Sequence, residues 1–533
     1  MKVLLVNPRF PTTYWGYQYS LQVIGKKASL PPLGLITVAA CLPPTWELRL
    51  VDLNLRPLAD ADLIWADAVL IGGMLLQLGS MRQVMARARE CGRRVVVGGP
   101  APSESPELFE GADVVFRGEV EGRVGELVRA ISAGGDGPLV LTPPAKTFPA
   151  MNGVPAARFD LLDLDGYASM SVQYSRGCPY DCEFCDIVQL FGRVPRVKHP
   201  PQVLAELDRL YELGWRGSLF FVDDNFIGNR REVRRLLPTV AHWQEARGHP
   251  FDLYTEASLD LARDPSLVRE MVRAGFSAVF VGIETPSEEA LRSCGKLQNL
   301  KVETTQAVDL LTGAGLEVMG GFIVGFDTDG PDIFAAHREL LYSAPIPLAM
   351  IGLLSAVPGT ALWRRLELEG RLRGNPSGDQ FDRPNFEPVM DEETLLRGYA
   401  ELLAELYCPR EYYRRCATFL GRVGRTPPVR GRGLSDLAAF FNGVLHVGIL
   451  GRRRRHFWAL LWHTLTRAPK AFRRAVTCAI KGEHMIRYTE EHVLPRIAKA
   501  AAEARAENDR SRVFEEARWL EPVVDEQTSA AAG

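Results

Sequence analysis

Residues Ser175–Asp186 read SRGCPYDCEFCD, and the C-x3-C-x2-C spacing of Cys178, Cys182 and Cys185 within them organises the reading of the whole chain. Thiolates are soft ligands that select zinc, Cu(I) or iron–sulfur clusters, and a closed site of the common kinds takes four protein ligands. This loop supplies three. A four-iron cluster held by three cysteines keeps one iron free to bind something else, which a catalytic cluster needs and a structural one does not. Two plainer readings compete: a structural zinc knuckle with a distant fourth ligand such as His199, or three core cysteines that happen to be neighbours. No second C-x2-C or H-x3-H pair completes a zinc ribbon.

Outward from the loop, strand patterns at Ser171–Ser175, Ser218–Asp223, Asp252–Glu256, Ala278–Glu284, Val318–Val324 and Ala349–Leu354 alternate with helical ones. Six such units predict a partial parallel (β/α)6 barrel, with its chemistry at the carboxyl ends of the strands. Those ends carry Asp223, Glu256, Glu284, Gly321 and Gly325. Carboxylates there suit a ligand rich in hydroxyl and ammonium groups, and glycine lets an adenine-sized ring lie against the backbone. Taken singly, each acid is equally a helix cap or a turn residue; their convergence on one rim marks a site.

The first 137 residues follow the same α/β rhythm, with strands at Lys2–Asn7, Glu47–Leu53, Ala68–Gly73, Arg94–Gly98 and Asp113–Phe116. Apolar runs of this kind, joined by crossover helices, predict a Rossmann-like parallel sheet. Its strand ends bear Gly72, Gly73, Gly98, Gly99 and Gly118, where a large flat ligand could approach the backbone. No G-x-G-x-x-G follows the first strand, so this is not a dinucleotide fingerprint. The first histidine of the chain is His199. A corrinoid held here would therefore take no histidine to its cobalt from this domain, and side chains around Gln77 would cover that face.

At 533 residues the chain is too long for one core. The expected divisions are 1–137, a proline-rich strap at 138–170, the barrel at 171–378, a mostly helical region at 379–510 and a disordered tail at 511–533. A net charge of −2 argues against a general nucleic-acid binder. Nine cysteines, six of them scattered, form no disulfide framework and fit a reducing cytoplasm. The longest apolar window, Leu437–Leu450, falls short of the ~20 residues that span a bilayer. No acidic residue lies between Asp436 and Glu483, whereas residues 452–474 interleave arginines and lysine with Phe457, Trp458, Leu461, Trp462, Leu465 and Phe472. That pattern is either a stripe packed onto the barrel or an interfacial helix that touches a membrane surface.

At SRGCPYDCEFC the chain resembles the radical S-adenosylmethionine (SAM) superfamily, whose C-x3-C-x-Φ-C loop binds a [4Fe–4S] cluster; Φ is Phe184 here. PPLGL at Pro31–Leu35, FFVDDNFIGN at Phe220–Asn229, TEASLDLA at Thr255–Ala262, VFVGIETP at Val279–Pro286 and GGFIVGFDTD at Gly320–Asp329 look like the cobalamin-binding branch. They are most similar to the subgroup with a DUF4070 C-terminal domain, which includes hopanoid 2-methylases. The resemblance implies the cluster on Cys178, Cys182 and Cys185, with SAM on its free iron near Phe184, Asp223, Glu256, Glu284, Gly321 and Ile323. It implies base-off cobalamin near Gly72, Gly73, Gln77, Gly98, Gly99, Gly118 and Glu119. The implied reaction is methyl transfer from SAM, through cobalamin, to an unactivated carbon of a hydrophobic small molecule such as a hopanoid. Flavodoxin or ferredoxin would supply the electron. A non-methylating rearrangement or cyclisation, or a cobalamin sensor or electron-transfer protein, are the competing expectations.

Overall fold

The computed structural model describes residues 1–133, 138–144, 147–425 and 439–519, with side chains as far as residue 510. Its first sheet joins β1 (Lys2–Asn7), β2 (Glu47–Asp52), β3 (Ala68–Gly72), β4 (Arg94–Gly98), β5 (Val114–Phe116) and β6 (Leu139–Leu141). All are parallel, in the order β2-β1-β3-β4-β5-β6. The runs VLLV and VVV are apolar at every position because helices cover both faces. Met81, Val84 and Met85 pack on one face, Leu127 and Ile131 on the other. The order is doubly wound with its switch point between β1 and β3, where ligands of such sheets bind. One strand departs from expectation: β6 lies inside the stretch read as a strap from residue 138. The three residues of β6, set between Pro138 and Pro143, are too few to show a period.

The second sheet contains β7 (Ser169–Val172) and, beyond a two-stranded antiparallel ribbon of β8 (Ser175–Arg176) and β9 (Arg196–Val197), β10 (Gly217–Phe221), β11 (Phe251–Ala257), β12 (Phe276–Glu284), β13 (Glu317–Val324) and β14 (Leu348–Leu353). These six parallel strands run in sequence order and form the partial barrel. Along β11, Phe251, Leu253 and Thr255 are buried under the helices, whereas Tyr254 and Glu256 alternate onto the inner face. There Tyr254 stacks on Phe220, with ring centroids 4.7 Å apart. The strand expected at Ser171–Ser175 stops at Val172, and the chain bends into the ribbon that carries the cysteine loop.

The helical C-terminal region covers the barrel's edge. An edge strand exposes unpaired carbonyls. On β14, Tyr399 donates its hydroxyl to the Ile351 carbonyl (2.6 Å) and Tyr407 to that of Ala349 (2.5 Å). Tyr399 lies within the helix Glu392–Leu406 and Tyr407 just beyond its end, before the neighbouring helix Pro409–Arg422. The last helix, Leu494–Trp519, runs into the stretch expected to be a disordered tail, and residues beyond 519 lie outside the described ones. Among the described residues no helix is long and apolar enough to cross a membrane.

A tie between the ends of the chain has no signature in the sequence. Residues 10–24 leave the first sheet after β1 and dock on the helix Phe472–Tyr488. Ser20 donates its hydroxyl to the Ile480 carbonyl (2.7 Å), and Tyr488 its own to that of Thr12 (2.8 Å). Lys481 of the same helix pairs with Glu317, the first residue of β13 (2.8 Å), so this contact sits at the amino ends of the barrel strands. From there Trp15 reaches inward until its ring meets Phe280 at 4.8 Å.

Candidate active site

The cysteine loop hangs from the β8–β9 ribbon, and its entry is set by Gly177. With φ at +95° and any Cβ only 2.8 Å from the Gly192 carbonyl oxygen, this position admits glycine alone. Beyond β10, Asp223, Asp224 and Asn225 grip the loop one after another. Asp223 accepts from the Tyr174 N–H (3.2 Å), the Ser175 N–H and the Ser175 hydroxyl (2.5 Å). Asp224 accepts from the Gly177 N–H (2.9 Å), and the Asn225 amide donates toward Cys178 Sγ (3.9 Å). Both oxygens of Asp223, buried to 1% exposure, are thus spent on the protein. The family pattern puts Asp223 beside SAM; here it holds the cluster loop in place.

A second brace, residues 294–299, gives no motif signal in the sequence. The Glu183 N–H donates to the Cys294 carbonyl (2.8 Å). The amide of buried Gln298 donates toward Cys182 Sγ (3.8 Å), while its carbonyl oxygen has no hydrogen-bond partner. Lys296 pairs with Glu284 at 2.5 Å. Burial works against the lysine's charge, but Glu284 and the Cys182 thiol outweigh it and push its pKa above the usual value. Glu284 has a left-handed backbone, φ 68°, uncommon for a residue with a side chain. Asn299 holds that turn by donating to the carbonyls of Gly282 (2.9 Å) and Ile283 (3.0 Å).

Burial raises the pKa of all three thiols, that of Cys185 to about 12. The polypeptide alone does not ionise them; a coordinated metal centre does. Soft donors on one loop, two amides aimed at their sulfurs and a lysine to offset charge form a donor set suited to a cluster. A closed structural zinc site would need a fourth donor about 2.0–2.3 Å from the same point as the three thiolates. His199 is exposed at the start of the helix Pro200–Glu212.

Of the rim acids, Glu256 is the one with its carboxylate uncommitted: it makes no side-chain hydrogen bond or ion pair among the described residues. Burial and the neighbouring Asp224 and Asp223 push its pKa to about 8. Phe184 and Ile323 join one apolar cluster, with Phe184 6.1 Å from the Phe326 ring, beside a cavity of about 270 Å³. Gly321 departs from expectation. A Cβ there would lie 2.6 Å from the Phe280 ring, so the space over it is filled by the protein's own aromatic side chain.

On the first sheet, Gly72, Gly73, Gly98 and Gly99 stand at the ends of β3 and β4. Gly99 has φ +95° and a Cβ there would sit 3.2 Å from the backbone of Gly73, so these glycines let the two strand ends close on each other. Gly118 lies against Pro143. The amide of Gln77 is committed to the protein: it accepts from the Met74 N–H (3.0 Å) and donates to the Pro8 carbonyl (2.7 Å), fastening the turn after β3. Glu119 is likewise committed. It pairs with Arg176 (2.5 Å) and Arg196 (2.7 Å), and Glu121 also holds Arg176 (2.8 Å). Arg176 stands two residues before Cys178, so this buried network bolts the carboxyl end of the first sheet to the cluster loop. Glu104 faces Asp186 across the same junction, and burial followed by that second carboxyl raises its pKa to about 8.

Residues 172–341 match the model of the radical SAM superfamily, and residues 360–496 match DUF4070, a domain of unknown function. The chain is 42% identical over 499 residues to an uncharacterised methyltransferase of Synechocystis, covering 92% of each. It is 34% identical over 505 residues to the hopanoid C-2 methylase of Rhodopseudomonas palustris, covering 92% of this chain and 94% of that one. Among solved structures, the radical SAM methyltransferase TsrM of Kitasatospora setae, with cobalamin and a [4Fe-4S] cluster bound, superposes with a TM-score of 0.58 over 90% of this chain and 99% of that one. OxsB, a cobalamin-dependent SAM radical enzyme, gives 0.56 over 95% and 83%. At 18% and 15% identity these two establish the shared fold. With the cysteine loop and both sheets in place, the full-length relatives show that this chain belongs to the radical SAM superfamily, in the methyltransferase family that includes the hopanoid C-2 methylase.

Proposed function

We propose that the enzyme is a cobalamin-dependent radical SAM methyltransferase that places a methyl group from SAM on an unactivated carbon of a hydrophobic small molecule, with a hopanoid as one candidate. The observation that carries this reading is the junction of the two sheets. Arg176, beside the cluster loop, is held by Glu119 and Glu121 from the carboxyl end of the first sheet, which supports a corrinoid site on that sheet facing the cluster loop. When bound, the cluster and SAM supply one-electron cleavage chemistry and the corrinoid supplies a methyl donor.

The chain's own part is placement and charge. Asp223 and Asp224 hold the loop, and Asn225 and Gln298 direct amides to its sulfurs. Glu256 is free to accept an ammonium group, whose charge would bring its raised pKa back down. The cavity at Phe184, with Phe326, Leu354 and Leu362 on its wall and Glu183, Asp327 and Arg365 at its polar side, suits a purine ring with its ring nitrogens. The aromatic pairs Trp15–Phe280 and Phe220–Tyr254 suit an apolar substrate. No histidine precedes His199 and the amide of Gln77 is occupied, which supports base-off cobalamin with no ligand from the first domain. Flavodoxin or ferredoxin is the proposed electron donor, and residues 452–474 the proposed point of membrane contact.

The reading is tested by reconstituting the enzyme with cluster and cobalamin and supplying methyl-labelled SAM. Label in the product supports it. Deoxyadenosine released with no labelled product would overturn methyl transfer in favour of rearrangement or cyclisation.

A further inference from the structure

The C-terminal region carries an apolar surface that the reaction does not use. Residues 439–449 and the helix Arg454–Arg467 fold back on each other as a hairpin. Its inner seam is packed: Val447, Phe457, Leu460 and Leu461 are buried. Gly448 lies so close to Phe457 that a Cβ would meet the ring at 2.8 Å, and Trp458 donates its indole N–H to the Gly448 carbonyl (2.9 Å). The core requirement of the amphipathic pattern is met by these residues.

A second apolar face remains. On the first arm Phe441, Leu445 and Ile449 are exposed, and on the second Trp458, Trp462 and Leu465. The spacings i, i+4, i+8 and i, i+4, i+7 put each set on one stripe. Phe441 is 63% exposed and Trp462 71%, and Leu450 at the tip is 67% exposed. Isolated exposed apolar residues are ordinary, but a contiguous set of this size marks an interaction surface.

Charge identifies the occupant. Arg452, Arg454 and Arg455 surround the tip, Arg467 and Lys470 follow the second arm, and all five are exposed with no ion pair among the described residues. Arg453, by contrast, turns inward to Glu483 and Glu490. No carboxylate occurs in the sequence from 437 to 482 to complement these cations. Nucleic acid would satisfy the cations but not an exposed Leu, Ile and Trp stripe. A bilayer with anionic headgroups satisfies both, with the hairpin lying in the interface.

We infer that the 439–467 hairpin is a peripheral membrane anchor whose two apolar stripes enter an anionic bilayer while the arginines at its tip meet headgroups. This extends the proposed contact beyond residues 452–474 to a second arm, and it stands whatever reaction the enzyme catalyses. The test is flotation of the full-length holoenzyme with vesicles of phosphatidylcholine alone or with phosphatidylglycerol added. The wild type should float with the anionic vesicles and lose at least tenfold in affinity at high salt. Trp462→Ser with Ile449→Ser, and separately Arg454→Glu with Arg455→Glu, should each weaken binding at least tenfold. Both pairs are exposed, so thermal melting and SAM cleavage in detergent-free buffer should match the wild type. Wild-type protein that stays unbound, variants that float equally well, or capture of a soluble acidic protein without any lipid binding would overturn the assignment. SAM cleavage, measured separately, reports on the proposed reaction and not on the anchor.

Discussion

The reassignment of Asp223 from SAM contact to loop clamp makes a sharp prediction. Its carboxylate accepts two backbone N–H groups and one hydroxyl, all buried. Asp223→Ala strands both N–H donors, and a buried unsatisfied donor costs about 1–3 kcal/mol. The two together give a loss of roughly 3–5 kcal/mol, with the serine hydroxyl free to turn elsewhere. Asp223→Asn keeps the oxygen that faces Ser175 but turns an amide N–H toward that of Tyr174, so its cost is nearer ~1–3 kcal/mol. At ~2–4 °C per kcal/mol for a domain of barrel size, the alanine variant should melt roughly 10 °C below wild type, with asparagine between them. The measurement is anaerobic thermal melting of cluster-free protein without SAM, followed by iron content after reconstitution. Both should fall in the order Asp, Asn, Ala before any SAM is added. The reasoning is refuted if the cluster-free variants melt with the wild type and load iron fully while SAM affinity alone declines.

Two further predictions concern the loop's surroundings. Gln298→Leu removes the amide directed at Cys182 Sγ, and loss of a hydrogen bond to a cluster ligand should lower the midpoint potential; a redox titration followed by electron paramagnetic resonance should show that fall with the cluster still fully loaded. Glu256 keeps its proton in the folded chain up to about pH 8, whereas the unfolded chain releases it near ~4.3. The folded state therefore binds more protons between these values, and stability falls as pH rises through that window. Glu256→Gln should flatten the slope, recovering roughly 3 kcal/mol by the upper end once partial solvent screening is allowed for; denaturant titrations at several pH values would read it.

What the chain states by itself is its local order. The first sheet is legible because burial on both faces writes continuous apolar runs, VLLV at β1 and VVV at β4, and the barrel because strands such as β11 alternate between a buried face and an inner one while the helices between them keep their own period. The three ligands are legible because their spacing falls within one loop. Even the amphipathic hairpin is visible as a pattern, although the pattern alone did not say that Phe457 and Leu461 face inward while Trp458 and Trp462 face out.

Only the tertiary structure decided which partner each polar side chain takes. Asp223 finds Ser175 48 residues away, Glu119 finds Arg176 at 57, Gln298 finds Cys182 at 116 and Tyr14 finds Thr489 at 475. A carboxylate at a strand end reads the same whether it meets a ligand, a lysine or a backbone N–H. Its partner is fixed when the chain closes, because a buried polar group must be satisfied by whatever the fold brings to it.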